Sequence, residues 1–325
     1  MSAGLAERAR YARVQSAMAR HGVGALVLAT PHLATFASGA RRVQVAGSGG
    51  TVPWVVVLAG APSAVVFTTD PDGVPAWMPR AAVEPLRWDR GAQLGRIAEL
   101  VAGAEGTVAC DVFAPALRAA LAGRTLVDAA PLLAEAVAPR ATVEVEAIAR
   151  ALAVARRAVD ASADAVASGA APTESAARAA EHAAGFPLAE TTVRRAGDVV
   201  RFQVSLYVAG YAGVAGDTVG CGVDVSERRR AWAEALCAVA KRARDGASSG
   251  ALRAAARAAG AGASGLLAHG LGVGIEPPLV DLHADDDAPL RAGTILVVAP
   301  EVDGFRATRA LLVTDGAPRW IERAP

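Results

Sequence analysis

The sequence predicts an α/β domain over residues 1–138 followed by an α+β domain over residues 139–325. A chain of 325 residues is too long for one ordinary compact core, so two domains are expected. Apolar runs typical of strands alternate with helical patterns as far as residue 138, which indicates an α/β domain. Around Ala138-Pro139-Arg140 the pattern changes to a long alanine-rich helix, predicted over residues 143–168. The domain boundary is therefore placed there.

Hydrophobic spacing predicts the elements of the first domain. Tyr11, Val14 and Met18 recur at helical spacing, and the apolar residues 25–28 follow as a buried strand. The other predicted elements are a hairpin formed by residues 54–58 and 64–68, a helix near residues 94–101, strands at 107–110 and 126–128, and a helix at 115–122.

The most informative element of the second domain is a strand predicted over residues 199–205. Arg201, Gln203 and Ser205 alternate there with apolar residues, so an extended strand has one polar and one apolar face. We expect the polar face to line a pocket. The other predicted elements are helices at 173–184, 228–244 and 251–259 and strands at 294–298 and 310–314.

Composition excludes several classes of protein. Hydrophobic residues make up 53% and charged residues 20% of the chain, enough apolar surface to offset chain entropy, so disorder is not expected. The 33 basic and 32 acidic side chains leave a net charge of +1, which gives no electrostatic footprint for nucleic acid or an anionic membrane. The three cysteines have no CxxC spacing, so neither structural disulfides nor a thiolate zinc site is predicted.

Membrane insertion and secretion are not expected either. The most apolar stretch, residues 52–67, is interrupted by Pro53, Gly60 and Pro62, too often for a membrane span. The first residues include Glu7 among Arg8, Arg10 and Arg13 and no apolar segment follows them, which argues against a secretory signal. A cytoplasmic location is the expectation.

Residues 268–278 are the candidate active-site segment. A lone histidine, His269, stands there in a glycine run that ends in Glu276-Pro277-Pro278. Glycines allow a close approach of backbone or ligand, and the two prolines predict that any regular element stops here. The alternative is a glycine-rich turn whose histidine is simply hydrogen-bonded.

Five segments of the second domain follow one another in a recognisable order: Gly197-Asp198, Gly210-Tyr211, His269-Gly270-Leu271-Gly272, Glu276-Pro277-Pro278 and Leu312-Val313-Thr314-Asp315-Gly316. This series resembles the motifs of the creatinase and Xaa-Pro aminopeptidase family. Pro31-His32-Leu33 resembles a proline-asparagine-leucine motif of that family's N-terminal domain. The resemblance spans essentially the whole chain. It implies the pitta-bread fold for the second domain and a homodimer as the assembly.

The resemblance also implies where a metal centre would lie. Metallopeptidases of this family hold two divalent ions through two aspartates, one histidine and two glutamates, because carboxylates hold and bridge such ions. The corresponding positions here are Gln203, Val214, His269, Ala299 and Thr308. Since one neutral imidazole cannot hold a pair of divalent ions, we expect neither a metal nor another cofactor.

Three functions remain open. The first is a metal-independent enzyme acting on a small metabolite, because the resemblance to creatinase implies C–N hydrolysis without a metal; a related elimination, cyclisation or isomerisation is the close variant. The second is a non-catalytic binding module. The third is a divergent metallopeptidase of the Xaa-Pro type, which the replaced ligands disfavour.

The first function assigns roles to particular residues. His269 is the predicted general acid/base, because the pKa of histidine lies near neutral pH, and Glu276 or Glu301 is the predicted orienting carboxylate. Arg201 is a candidate anchor for an anionic group, with a surface ion pair as the alternative. The predicted substrate-binding residues are Arg201, Gln203, Ser205, Tyr211 and Thr308.

Overall fold

The computed structural model describes residues 3–40, 54–138, 140–183, 190–262 and 265–322. The chain divides into two compact units, residues 1–137 and residues 138–325, compared with predicted domains of 1–138 and 139–325.

The first unit is an α/β unit, as predicted. Its described strands form one mixed sheet in the order β4-β3-β2-β1-β5-β6, in which β1 pairs antiparallel with β2 and parallel with β5. The helices are α1 (Ala3–Arg20), α2 (Pro31–Ser38), α3 (Arg90–Ala102), α4 (Pro115–Ala120) and α5 (Ala130–Val137). The strands are β1 (Val23–Leu28), β2 (Trp54–Leu58), β3 (Val65–Thr68), β4 (Val83–Pro85), β5 (Thr107–Cys110) and β6 (Leu126–Asp128).

The core of this unit lies where α3 packs on the sheet. Every residue of β1 is buried, and the apolar stripe of α3, Leu94, Ile97 and Val101, is 5%, 0% and 1% exposed. Burying three such side chains contributes roughly 1.5–3 kcal/mol each. The helical spacing predicted from the sequence is therefore the spacing that forms this core.

The second unit is an α+β unit, as predicted. Three antiparallel strands form one sheet, β7-β8-β9, and five others form a second, β11-β10-β12-β15-β16. The helices are α6 (Thr142–Ala167), α7 (Pro172–His182), α8 (Ser226–Ala240) and α9 (Ser249–Ala258). The strands are β7 (Glu190–Ala196), β8 (Val199–Val208), β9 (Tyr211–Gly220), β10 (Leu266–Leu271), β11 (Ile275–Asp281), β12 (Ile295–Val298), β13 (Glu301–Val302), β14 (Phe305–Arg306), β15 (Arg309–Leu312) and β16 (Arg319–Trp320).

Strand β8 has the two faces that its sequence predicts. Phe202 and Val204 are buried in a core shared with α6, whereas Gln203 is exposed and Arg201 and Ser205 are partly exposed. Side chains alternate between the faces of a strand. The polar face is thus free of the helix and available to line a site.

Strand β9 was not predicted, because its sequence is rich in glycine and alanine, which are depleted in strands. Its close packing against α6 explains the composition. A β-carbon on Gly213 would lie 2.2 Å from the carbonyl oxygen of Ala151 in α6, so only glycine allows this approach. Packing of the whole unit therefore overrides local strand propensity here.

The prediction that Pro277-Pro278 ends any regular element is wrong. Strand β11 runs through both prolines. It lies at the edge of its sheet, where an N–H group is not needed on the outer side. The pairing also shifts there, from His269 opposite Leu279 to Gly270 opposite Glu276. Both prolines lie within this irregularity, where the regular pairing between β10 and β11 is interrupted. The sheet therefore loses few hydrogen bonds although proline has no N–H group.

None of the helices in the described part of the chain combines the length and the apolar character that a membrane crossing requires.

Candidate functional site

A cavity of about 200 Å³ in the second unit collects the five positions at which the family resemblance places a metal centre. These positions are far apart in the chain, and the fold brings them together around one cavity. They are Gln203, Val214, His269, Ala299 and Thr308.

Backbone pairing brings these positions together. Ser205 of β8 lies opposite Val214 of β9, and Gln203 lies opposite Gly216. The Thr308 N–H donates to the carbonyl oxygen of Gly216 at 3.1 Å, and its Oγ1 accepts from the Gly216 N–H at 2.8 Å. The Ala299 N–H donates to the carbonyl oxygen of Leu267 in β10 at 2.8 Å. The site is therefore held by main-chain hydrogen bonds and by the Thr308 hydroxyl.

His269 lies in the middle of β10 and is 7% exposed. Its Nδ1 lies 2.9 Å from the carbonyl oxygen of Gly270. A carbonyl oxygen can only accept, so Nδ1 carries the proton and Nε2 of the neutral ring can act as an acceptor. Burial lowers the pKa of His269; the bond to Gly270 opposes this shift, and the charge of Arg306 adds to it. The ring is therefore neutral at pH 7, with a lone pair on Nε2.

This lowered pKa predicts acid-dependent stability. The pKa of His269 in the folded state lies below the ordinary value of 6.5, so the unfolded chain takes up a proton first as the pH falls. Its contribution to stability is full above pH 6.5 and is lost as the pH falls toward the folded-state pKa, with a slope of at most about 1.4 kcal/mol per pH unit. Urea unfolding between pH 7.5 and 5 is expected to show this slope in the parent.

His269→Asn is the matched control for that measurement, because asparagine keeps a donor near the Nδ1 position and does not titrate. The variant is expected to have the smaller slope. Equal slopes in the parent and the variant would contradict the prediction.

Arg201 and Glu301 were predicted to act separately, and the structure pairs them. Arg201 Nη2 donates to Glu301 Oε1 at 2.5 Å and to the carbonyl oxygen of Gly304 at 2.9 Å, while Nη1 lies 3.3 Å from Oε2. Neither side chain is among the described residues that line the cavity. Arg201 therefore forms an ion pair, but its partner Glu301 is a buried acid rather than the surface acid of the alternative. Glu301 in turn contacts an arginine rather than His269.

Glu276 forms a buried ion pair with Arg140, and the side chains of both are 0% exposed. Its Oε1 also accepts from the Val273 N–H at 2.9 Å. Glu276 lies opposite Gly270, the neighbour of His269, and neighbouring residues of a strand project to opposite faces. This placement explains why Glu276 holds the β10–β11 turn instead of orienting the His269 ring.

The same ion pair explains a glycine of the histidine segment. A β-carbon on Gly272 would lie 2.4 Å from Glu276 Oε1 and 2.6 Å from Arg140 Nη2. No side chain fits in that space. The glycine is therefore required by the ion pair rather than by a ligand.

The remaining predicted residues divide into two groups. Gln203, Ser205 and Thr308 line the cavity, and their role in binding a substrate stays a prediction. Tyr211 is buried at the start of β9 and is not among the described lining residues, whereas Tyr207, two residues beyond Ser205 on the same face of β8, is.

Sequence reasoning missed Arg306, which lines the cavity from the β13–β14 hairpin. Its Nη2 donates to the carbonyl oxygen of Leu266 at 3.0 Å. Burial lowers the pKa of Arg306, Glu301 raises it and Arg201 lowers it, but a guanidinium keeps its charge in proteins. The sequence signal that could have identified Arg306 is its position two residues before Thr308, one of the five metal-centre positions.

The donor set does not fit a pair of divalent metal ions. Of the five positions, His269 alone offers a ligand of the kind that such ions prefer, and the cavity wall adds a cation, Arg306. Within the described ranges no group of three or more His, Cys, Asp or Glu side chains could hold a metal ion. Hard divalent ions need carboxylate oxygens to offset the loss of their hydration.

Comparison with known proteins gives the family. The family model described as metallopeptidase family M24 matches residues 119–315. No curated protein matches the chain.

Solved structures share the fold over nearly the whole chain. Dipeptidase PepE from Mycobacterium ulcerans is 20% identical with a TM-score of 0.76, covering 99% of this chain and 96% of that one. Prolidase from Pyrococcus furiosus is 17% identical with a TM-score of 0.70 over 96% and 99%. X-Pro aminopeptidase from Thermotoga maritima is 15% identical with a TM-score of 0.72 over 97% and 98%. At these identities the likeness concerns the fold alone. Together with the family match, which covers more than half of the sequence, it means that this chain belongs to metallopeptidase family M24.

Proposed function

We propose that this chain is a metal-independent member of its family that acts on a small molecule in the 200 Å³ cavity. The observation that carries the proposal is the content of the five metal-centre positions. They meet in one cavity, yet none of them carries a carboxylate, and Arg306 lies beside them. The positions that hold carboxylates in the metallopeptidases carry neutral groups here, and a guanidinium lies beside them. This set of groups suits acid–base chemistry on an organic molecule better than binding of a divalent ion.

His269 is the proposed general acid/base. Its Nδ1 proton is committed to Gly270, so the Nε2 lone pair can take a proton from a bound molecule or from water and return it later. Gln203, Ser205 and Thr308 supply neutral hydrogen-bonding groups that can orient the molecule. Hydrolysis of an amide or amidine C–N bond is the first candidate reaction. Elimination, cyclisation or isomerisation needs the same proton transfers.

The comparisons favour a second candidate, hydrolysis of dipeptides of the Xaa-Pro type. Two of the similar structures are a prolidase and an X-Pro aminopeptidase. The residues at the five metal-centre positions do not favour the usual metal-dependent mechanism for this reaction. Metal binding therefore separates the two candidates.

The metal prediction is that the purified protein contains no stoichiometric Mn, Co, Zn or Fe and binds Mn²⁺ no tighter than about 1 mM, because none of the described residues that line the cavity carries the carboxylate that such an ion needs. Elemental analysis and calorimetric titration with Mn²⁺ measure this. The matched control carries the four lost ligands, Gln203→Asp, Val214→Asp, Ala299→Glu and Thr308→Glu, and is expected to gain affinity. The metal-independent function would be wrong if the parent contained one metal ion per chain and a chelator removed both the metal and the activity.

The remaining candidate is a binding module without catalysis. The apolar side chains of Val214 and Ala299 in the cavity favour it. Incubating a metabolite extract with the parent and with His269→Asn, followed by mass spectrometry, tests catalysis. The parent is expected to consume a metabolite in the presence of chelator, and the variant is expected to leave it intact. Enrichment of a metabolite by the parent without conversion would favour the binding module.

A further inference from the structure

We propose that the cavity selects a small neutral carbonyl compound, such as a carboxamide, because the Thr308 hydroxyl can only donate to a bound molecule. This inference rests on the proposed function, since it names the class of molecule that the same cavity takes. It chooses the amide over the amidine as the source of the C–N bond. An amide oxygen accepts a hydrogen bond, whereas an amidine is protonated at neutral pH and only donates.

The main chain of β9 fixes the side chain of Thr308. This residue directly precedes β15 and is 8% exposed. Its N–H donates to the carbonyl oxygen of Gly216 at 3.1 Å, and its Oγ1 accepts from the Gly216 N–H at 2.8 Å. The branch at the β-carbon restricts rotation of the side chain further. The hydroxyl oxygen is therefore held in one position at the cavity wall.

Arg156 of α6 supports the same pair of residues. Its Nη2 donates to the carbonyl oxygen of Thr308 at 2.7 Å and lies 3.5 Å from Thr308 Oγ1, while its Nη1 lies 3.4 Å from the carbonyl oxygen of Gly216. Glu322 forms an ion pair with Arg156. Neither Arg156 nor Gly216 is among the described residues that line the cavity. The donors that reach the Thr308 hydroxyl therefore approach it from outside the cavity.

The hydrogen of the Thr308 hydroxyl is left for a bound molecule. A threonine hydroxyl has two acceptor lone pairs and one hydrogen to donate. Gly216 and Arg156 contact the oxygen as donors, and within the described part of the chain no acceptor is paired with the hydrogen. A buried O–H group without an acceptor costs free energy. A molecule in the cavity is therefore stabilised if it presents an acceptor to Thr308.

An acceptor lies on the other side of the central strand β12. His269 of β10 lies opposite Val297 of β12. Val297 in turn lies opposite Ala310 of β15, two residues after Thr308. The strands that carry His269 and Thr308 are thus separated by β12 alone, roughly 10 Å at the usual strand spacing. A carboxamide carries both partners, a carbonyl oxygen for Thr308 and an N–H group for His269 Nε2.

The volume and the other lining groups limit the size of the molecule. A cavity of about 150 Å³ holds benzene, so the cavity of about 200 Å³ holds roughly eight non-hydrogen atoms. Gln203 and Ser205 can each donate or accept, so they fit either head group. Val214 and Ala299 add apolar surface that suits a short alkyl group.

The test compares three probes of one shape: 2-methylpropanamide, 3-methylbutan-2-one and 2-methylpropanamidine. The amide and the ketone present a carbonyl oxygen, whereas the amidine presents N–H donors only. Binding to the full chain is measured by saturation-transfer NMR and calorimetry in the presence of a chelator. The amide and the ketone are expected to bind about tenfold more tightly than the amidine, the effect of one unmade hydrogen bond in a buried site. The ketone cannot be hydrolysed, so its signal reports binding alone.

Two substitutions change what the side chain at position 308 can offer. Thr308→Val keeps the shape and loses the hydroxyl, so binding of the amide and the ketone is expected to weaken about tenfold while binding of the amidine stays the same. Thr308→Asp keeps an acceptor for the Gly216 N–H but has no hydrogen to donate, so it is expected to reverse the order in favour of the amidine. This second variant decides the matter if Thr308→Val does not fold.

Two further variants are the controls. Thr308→Ser retains the hydroxyl and is expected to keep the preference of the parent for a carbonyl group. Thr294→Val makes the same exchange at another buried threonine, which is not among the described lining residues, and is expected to bind all three probes as the parent does. Melting temperatures show whether each variant is folded.

The inference is wrong if the parent binds the amidine as tightly as the amide, or if Thr308→Val or Thr308→Asp keeps the carbonyl preference. It is also wrong if the parent binds no amide at about 50 mM, well above the millimolar dissociation constant that about six well-placed atoms can give. Failure of the proposed function would appear in other measurements, as stoichiometric metal or as turnover that does not depend on His269, whatever the head-group preference.

Discussion

Replacing His269 with asparagine is expected to lower turnover by about a hundredfold to ten-thousandfold, the usual span for the loss of a general acid or base. The asparagine amide can still donate to the Gly270 carbonyl oxygen, which accepts from Nδ1 at 2.9 Å in the parent. It cannot take up a proton at the Nε2 position. Steady-state rates on the metabolite that the parent consumes, together with melting temperatures, measure the two effects apart.

His269→Ala provides the comparison. It loses the same chemistry and also leaves a buried carbonyl oxygen without its donor, so an added loss of about 1–3 kcal/mol in unfolding free energy is expected. Arg291→Met, a substitution at an exposed position, is the control and is expected to keep both rate and stability. If both histidine variants melt below the parent but retain turnover per folded molecule, His269 is a structural residue and the proposed catalytic role is wrong.

Breaking the buried pair between Arg140 and Glu276 is expected to produce the largest loss of stability. Glu276→Gln leaves the Arg140 charge buried without its counter-ion, at a cost of about 3–5 kcal/mol. Both side chains are fully buried, and among the described residues Arg140 Nε and Nη1 have no hydrogen-bond partner, so little else can compensate. Urea unfolding at pH 7 measures the change in unfolding free energy.

An exposed ion pair of the same unit is the control. Glu174 and Arg178 lie one turn apart on α7 with side chains that are 56% and 54% exposed, and Glu174→Gln is expected to cost less than about 0.5 kcal/mol. The double variant Arg140→Met and Glu276→Met is expected to recover most of the loss, since replacing both charges by apolar groups removes the unpaired ion. The explanation fails if Glu276→Gln is as mild as Glu174→Gln.

The sequence predicts the elements whose signal is local. The spacing of Leu94, Ile97 and Val101 predicts α3, and alternation around Gln203 predicts the polar face of β8, because burial on one side of a helix or strand repeats with its period. The ordered motifs of the second domain also predict that Gln203 and His269 belong to one site. Those predictions agree with the structure.

The sequence does not predict strands whose formation depends on contacts with elements elsewhere in the chain. Strand β9 has weak strand propensity, since Gly213 is needed for contact with α6. Strand β11 passes through Pro277 and Pro278 because it lies at the edge of its sheet. Neither neighbour is visible in the local sequence, so neither strand could be predicted from composition.

By itself the sequence determined the fold class, the family and the replacement of four of five metal ligands, because these follow from periodicity, from motif order and from the identity of side chains. Only the tertiary structure decided which charges meet. Arg201 is bound to Glu301, Glu276 is bound to Arg140, and Arg306 lines the cavity. The physical reason is that an ion pair needs two side chains within a few ångströms, and strand register and sheet packing set that distance between residues about 100 or more positions apart.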